Sequence, residues 1–491
     1  MKPTTECDLN SIGPGRAADS PKTETVAIVG GGCAGLLVAA HLMRVDRRPR
    51  RIVIFEPRPE LGAGVAYSTD DPRHLLNAPA GAMSALDDDP GHFVSWLAAR
   101  HFDWTATDFV PRHLYREYLQ DELTTARRMA APGTQLVWVR ELVTALEHDE
   151  TAGNRMATVR YGQGRECRAD RVVLALGAPA SVALHSLPVS PTFGMVGEPW
   201  SPATREAMVP SRDVLILGTG LTMVDIAIVL ADGDAPPTIH ARSRRGLLPA
   251  EHVSDGFAPW PGFDIGHPTT AVEVLRRLRR ATAEAEATGW NWRNVVAAAR
   301  TASPYVWAGL DDTERRRLLR HLGRQWEVAR HRMSPPMAAA VTELRRSGRL
   351  TVGAGRVVTV VNHGSIGDPR LEVMLAGSGG RRETLLVGAV IDCTGPGPDP
   401  TAGSPLVAGL VAQGLARIHP SGVGLDIDRH GTLLTASGAA SRTVPMHGIG
   451  WCRRGAEFES TAVPEIRGQA ALLARHISAA AGRPRRLLVH A

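Results

Sequence analysis

The stretch Thr25-Val-Ala-Ile-Val29 runs straight into Gly30-Gly-Gly-Cys-Ala-Gly35, and no other junction constrains the fold of this chain as strongly. The run is short, apolar and β-branched, as a strand buried on both faces must be. Helical spacing of Leu36, Leu37, Ala40 and Leu42 follows, then a second strand-like run, Ile52-Val-Ile-Phe-Glu56. Two strands joined by one helix lie parallel, through a right-handed crossover. Each glycine of Gly30-x-Gly32-x-x-Gly35 then has a mechanical task. Gly30 makes the tight turn, Gly32 lets a pyrophosphate approach the backbone, and Gly35 lets the helix pack closely on the strand. The pyrophosphate rests on the free N–H groups of the helix N-terminus. Glu56 follows Gly30 by 26 residues. There a carboxylate accepts hydrogen bonds from the ribose hydroxyls of either FAD or NAD.

A second copy begins at Val214-Leu-Ile-Leu217 and turns through Gly218-Thr-Gly220. A helix through Val229 and a strand near Thr238-Ile-His-Ala241 complete it. Gly218, Gly220 and Thr222 stand where phosphates would bind, but Met223 replaces the third glycine. That position serves helix–strand packing, so its loss leaves the anion site intact. Arg244 follows Gly218 by the same 26 residues that separate Gly30 from Glu56. A carboxylate there would repel a ribose 2′-phosphate, whereas guanidinium groups bind it. Arg242, Arg244 and Arg245 therefore point to NADPH.

The rest of the chain is expected to be α/β, with two Rossmann-like dinucleotide-binding domains. A disordered tail over 1–23 precedes a discontinuous FAD domain over 24–197 and 385–491. An NADPH domain over 205–384 is inserted in it and carries a helical insertion over about 265–350. The charge of +6 comes from arginines scattered along predicted helices, which argues against a nucleic-acid partner. No two of the five cysteines stand at C-x-x-C spacing, which excludes a dithiol centre and gives no metal site. A reduced, cytoplasmic setting follows. No apolar run approaches the ~20 residues that cross a bilayer, so no membrane association is expected.

With both units placed, the sequence resembles the two-dinucleotide-binding flavoproteins, the group that contains class B flavin monooxygenases. It is more closely similar to a family of FAD/NAD(P)-binding proteins through Glu60–Ser68, His74–Ser84, Ser243–Pro249 and Glu459–Arg467. In such proteins strand-then-glycine turns bring the chain near FAD, which implicates Gly177 and Gly395, together with Ser84 and Glu459. Some relatives resemble amino-acid N-hydroxylating monooxygenases, including enzymes that carry L-aspartate towards nitrosuccinate. The resemblance implies FAD and NADPH as cofactors, O2 and a small amine or amino acid as substrates, and a flavin C4a-hydroperoxide as oxidant. On the substrate side, Asn77 would bridge flavin and substrate, and Arg73 or His74 would meet a carboxylate. Trp451 and Glu457 precede a final helix whose N-terminus can face the flavin. Arg324, Arg330, His331 and Arg332 read either as a solvated helix face or as a clamp for an acidic substrate. Phe193–Trp200 lacks the histidine of Baeyer–Villiger enzymes, which disfavours ketone insertion. An NADPH:flavin oxidoreductase serving a quinone or protein acceptor, a flavin-binding regulatory protein, and homo-oligomerisation all stay open.

Overall fold

The structure, a computed structural model, describes residues 23–148, 156–181, 184, 195–196, 199–200, 212–232, 236–253, 258–363, 370–397, 399–441 and 444–480. Residues 1–22 of the expected disordered tail, and half of Phe193–Trp200 (193, 194, 197 and 198), lie outside the described residues. In the first unit, β1 (Glu24–Val29), α1 (Cys33–Val45) and β2 (Arg50–Phe55) form the expected βαβ crossover. The helices α2 (His92–Ala99) and α3 (Arg112–Met129) lead into β3 (Gln135–Val139). An antiparallel meander, β4 (Val143–His148), β5 (Ala157–Tyr161) and β6 (Arg165–Ala169), precedes β7 (Arg171–Leu174).

The second unit repeats this order. After β8 (Met195–Val196) come β9 (Val214–Leu217), α4 (Leu221–Leu230) and β10 (Ile239–Ser243). Five helices occupy the crossover: α5 (Ala271–Ala287), α6 (Trp292–Gly309), α7 (Asp312–His321), α8 (Gly323–Arg330) and α9 (Pro335–Arg346). Then follow β11 (Leu350–Ala354), a meander of β12 (Arg356–Asn362), β13 (Leu371–Ala376) and β14 (Arg382–Val387), and β15 (Ala389–Asp392). The chain returns to the first unit with α10 (Pro405–Ala412), β16 (Met446–Gly448) and α11 (Val463–Ala480).

Two parallel five-stranded sheets result, ordered β16-β7-β1-β2-β3 and β11-β10-β9-β15-β8. A boundary at 385 would assign β15 to the first unit. Instead β15 pairs with β9 in register Ala389↔Val214, and with β8, deep in the second sheet. Its four residues are all buried, because a parallel strand of this kind must be covered on both faces. Each sheet is covered by helices on one face and by its meander on the other. In the first unit α1, α3 and α11 build the helical core, and Tyr161, Val159 and Leu146 of the meander fill the opposite one. In the second, α4 and α9 cover one face, and Val373, Leu375 and Val360 cover the other. Thus α9 belongs to the Rossmann-like layer, while α5–α8 form a separate lobe around Trp307. The Trp307 indole donates to the Gly455 carbonyl (2.7 Å), tying that lobe back to the first unit.

Candidate functional site

Both glycine turns adopt one geometry. Gly30 has φ +101°, and a Cβ there would stand 2.3 Å from the Ala175 carbonyl oxygen just past β7. Gly218 has φ +99°, and its Cβ would stand 2.3 Å from the Cys393 carbonyl oxygen just past β15. Only glycine tolerates both that φ and that approach. The helices begin at equivalent positions, with Gly32 and Gly220 as N-caps and no side chain capping either. Their first N–H groups are left for an anion. Two residues past each contacted carbonyl stand Gly177 (φ +70°) and Gly395 (φ +71°), with no atom within 4 Å of a Cβ built on either. They border open space beside the turns.

The units differ where their ligands would differ. Glu56 is buried, and its Oε2 accepts the Gly31 N–H (2.9 Å), which fixes the carboxylate beside the turn. In the second unit Thr219 takes over the anchoring. Its hydroxyl donates to the Leu247 carbonyl (2.6 Å) and meets Ser243 Oγ (2.9 Å), holding the 243–249 loop against the glycine turn. On that loop Arg244 is exposed and has no partner among the described residues, whereas Arg245 donates to Gln325 Oε1 of α8 (2.8 Å). Thr222 is half-buried in the first turn of α4.

Several expected site residues are engaged elsewhere. Arg242 is buried in β10, and its guanidinium donates to Glu383 of β14 (2.7 Å), away from the loop. Glu459 accepts from the Trp326 indole (2.6 Å) and pairs with Arg330 at 3.5 Å, so it braces α8. Glu457 accepts from Gln469 Nε2 (2.6 Å), and Trp451 is buried in the core. Ser84 is fully buried, its hydroxyl bonded to the Leu86 carbonyl (3.2 Å). Arg73 is bound to Asp71 and to Asp232 (2.7 Å). His74 donates from Nε2 to the Asp225 carbonyl (3.2 Å) and receives the Thr69 hydroxyl at Nδ1 (2.6 Å). Burial holds its pKa below the usual histidine value, as suits a neutral strut between the units. Beside it Arg112, the first residue of α3, pairs with buried Asp225 of α4 (2.9 Å). Desolvation lifts Asp225 to about 6 despite that partner.

Of the three expected substrate-side residues, Asn77 borders a cleft that Arg73 and His74 do not line. This cleft of about 560 Å³ is bordered by Asn77, His252, Arg300, Arg330, Arg332 and Glu465. His252 donates to the Asn77 carbonyl (3.1 Å), and burial together with Arg332 pushes its pKa down to about 3. Arg300 of α6 directs Nε (2.9 Å) and Nη2 (2.5 Å) at Glu465 Oε1. Glu465 Oε2 is buried with no hydrogen-bond partner among the described residues. Arg332 is only 5% exposed, and its Nε and Nη1 likewise have none. Burial first, then Arg293 and Arg330, lower it to about 10. A solvated helix face therefore does not describe Arg332. The helix ends at Arg330, and the parallel bridge Glu251↔Met333 draws the next residues inward. Arg324 bonds the Leu247 carbonyl (3.2 Å), and His331 is held near 4 by burial. Glu465 had a signal in the sequence, since it falls inside the Glu459–Arg467 motif; Arg300 and His252 had none.

Two dinucleotide-type units, each with a glycine turn of positive φ and a helix N-terminus that no side chain caps, define the class of protein. Residues 27–179 match the family described as FAD-NAD(P)-binding, which covers most of the first unit. The whole chain shares its fold with solved amine monooxygenases at low sequence identity. A cadaverine monooxygenase from Erwinia amylovora, bound to FAD, has a TM-score of 0.62 at 15% identity, covering 96% of this chain and 98% of that one. L-lysine 6-monooxygenase from Pseudomonas syringae has a TM-score of 0.61 at 18% identity, covering 93% and 98%. An ornithine N-hydroxylase from Kutzneria, with reduced FAD, NADP+ and L-ornithine, has a TM-score of 0.59 at 16% identity, covering 94% and 100%. Uncharacterised proteins of Mycobacterium tuberculosis and Mycobacterium bovis are 24% identical over 65% of this chain, and the match spans 64% of their length. Among the described residues no helix is long and apolar enough to cross a membrane.

Proposed function

We propose that this chain is an FAD- and NADPH-dependent monooxygenase that N-hydroxylates the amine of a small amino-acid-like substrate in the cytoplasm, L-aspartate, towards nitrosuccinate, being the substrate we favour. The observation that carries this reading is the pair of glycine turns built on one plan with opposite charge beyond the second strand: buried Glu56 in one, and in the other exposed Arg244, with no partner among the described residues. The first turn fits FAD. A Cβ at Gly32 would stand 3.2 Å from Gly64 Cα, a tight approach that glycine avoids, and no side chain caps the α1 N–H groups. The second fits NADPH, with Gly218 and Gly220 at the pyrophosphate and Arg244 at the 2′-phosphate. When bound, the flavin supplies hydride acceptance from NADPH and activation of O2. The balance for one round is R–NH2 + O2 + NADPH + H+ → R–NHOH + NADP+ + H2O.

The chain's own task is to hold the amine, keep it uncharged and limit access of water. The arginines bordering the cleft disfavour an ammonium and attract carboxylates, which supports an acidic amino acid over a diamine. The solved proteins of this fold act, by their names, on ornithine, lysine and cadaverine, and that supports amine oxidation as the reaction type.

The test is turnover of the FAD-loaded protein with NADPH and O2 on L-aspartate, L-ornithine, L-lysine and cadaverine. Coupled formation of an N-oxygenated product from aspartate is expected. Flavin bleaching by NADPH with no N-oxygenated product from any amine would replace the monooxygenase reading with an oxidoreductase one. Product from the diamines alone would overturn the acidic substrate.

A further inference from the structure

Three of the ionic groups bordering the cleft are arginines, and they are not equally compensated. Arg300 is matched by Glu465, and Arg330 by Glu459. Arg293, at the start of α6, donates to the Glu251 carbonyl (2.7 Å) and lies near that residue's carboxylate. His252, from the segment beside β10, is pushed down to about 3 and carries no charge near neutrality. That leaves Arg332 as a buried guanidinium with no carboxylate of its own among the described residues. An uncompensated charge of this kind is costly in a folded protein. Opposite in sign, Glu465 offers one buried oxygen, Oε2, to which nothing donates among the described residues, while Oε1 is fixed by Arg300.

We infer that the cleft is a two-pole receptor, in which Arg332 takes the carboxylate end of the ligand and Glu465 Oε2 takes its nitrogen. The ligand class is a short amino dicarboxylate. Its two carboxylates leave it net negative whether its nitrogen is protonated or not, which suits the single uncompensated positive charge, whereas ornithine, lysine and cadaverine are net positive in solution. Glu465 seats the nitrogen by accepting one of its N–H bonds. Its own pairing with Arg300 keeps the acceptor in place without filling Oε2. The inference deepens the proposed activity and rests on it for the identity of the ligand as substrate.

Calorimetric titration of the FAD-loaded protein, without NADPH, separates the poles. The probes are L-aspartate, succinate (the same dicarboxylate without nitrogen) and L-ornithine. Wild type should bind aspartate more tightly than succinate, and ornithine weakest. R332Q should weaken aspartate and succinate alike, by about tenfold or more, as loss of a charge-assisted bond does. R332K should recover part of that loss. E465Q should weaken aspartate about tenfold and leave succinate within about twofold. The melting temperature of R332Q should hold or rise, because an uncompensated buried charge has been removed; a structural arginine would lower it. Unchanged aspartate and succinate binding in R332Q would overturn the carboxylate pole. Equal weakening of both probes in E465Q would make Glu465 a strut for Arg300 and overturn the nitrogen pole. The outcomes stay separate from the proposed function. Tight aspartate binding without N-oxygenated product sinks the activity alone, and aspartate turnover untouched by either variant sinks the receptor alone.

Discussion

The two dinucleotide units share a strand order, a meander and a glycine turn, and they part at three matched positions. Where the first has Gly35, the second has Met223; where α1 has Leu37, α4 has Asp225; where the second strand leads to Glu56, the other leads to Arg244. A Cβ at Gly35 would come within 1.8 Å of the Gly30 carbonyl oxygen, so α1 lies as close to its turn as a helix can. Met223 is buried at the same register, and the first helical bond lengthens from 2.9 Å (Leu36 to Gly32) to 3.2 Å (Val224 to Gly220). The first helix is enclosed by apolar neighbours from α3 and α11. The second meets the other unit through charge: Asp225 to Arg112, and its carbonyl to His74. One plan thus serves a core cofactor domain in one case and a docked partner domain in the other. The turn is what both keep, and the surroundings of the helix are what each changes.

Substituting the turn glycines should break the comparison most sharply. Alanine at Gly30 or Gly218 meets a left-handed φ, which costs about 1–3 kcal/mol, and in addition a carbonyl oxygen 2.3 Å from its Cβ. G30A should purify without FAD or fail to fold. G218A should stay yellow, with flavin reduction by NADPH slowed by about a hundredfold or more, the equivalent of about 3 kcal/mol. The FAD-to-protein absorbance ratio and stopped-flow bleaching read the two outcomes. Loss of FAD from G218A would mean that the units are not separable in function.

Asp225 gives the next largest effect and has no counterpart in the first unit. Its carboxyl titrates at about 6 in the folded protein, above the ordinary value of 3.8, because burial outweighs Arg112. The folded protein therefore holds a proton between about pH 4 and 6 that the unfolded chain does not. The resulting stabilisation is complete below pH 4 and is lost as pH rises through 6. D225N is neutral throughout and lacks this dependence. Its stability relative to wild type should be highest above pH 7 and fall by up to about 3 kcal/mol towards pH 4. Thermal melts across that range measure the difference, in which titrating groups common to both proteins, His252 and His447 among them, cancel. A flat difference curve would show that Asp225 does not feel its burial.

Much of this plan was legible because the signals are local. A strand, a glycine turn and a helix are set by neighbouring residues, and the 26-residue register of Glu56 and Arg244 needs no tertiary knowledge. The meanders carried a signal as well: Leu371-Glu-Val-Met-Leu-Ala376 alternates buried and half-buried residues along β13. Their duplication emerges only once β12–β14 and β4–β6 are seen on matching faces. The misreadings come from partners far away in sequence. Arg242 looks like part of a basic loop until β10 is found to continue through Ser243, which leaves Arg242 inside the sheet opposite Glu383. Glu459 looks like a ligand-facing carboxylate until Arg330 and Trp326 arrive from α8. For Arg332 the sequence left a solvated helix face and a clamp both open. Nothing local distinguishes it from Arg330, and its burial follows from the bridge between Met333 and Glu251.

The finest comparison concerns cofactor choice, because it rests on one side chain. Three arginines were expected to read the 2′-phosphate. Arg242 is committed to Glu383 and Arg245 to Gln325, so the discrimination falls on Arg244. A single charge-assisted contact is worth about 1.5–3 kcal/mol. R244E should therefore raise the KM for NADPH by about 10–100-fold, with kcat nearly unchanged, since the contact is made equally before and during hydride transfer. NADH, which lacks the 2′-phosphate, should be used about as well as before or slightly better, as a carboxylate there can accept its ribose hydroxyls in the manner assigned to Glu56. R242Q separates this from a general loss of basic charge. It should lower the melting temperature by removing the bond to Glu383, and leave the ratio of NADPH to NADH efficiency alone. Equal effects of R244E on the two nucleotides would mean that the charge beyond β10 does not select the cofactor, and the contrast with Glu56 would lose its functional meaning.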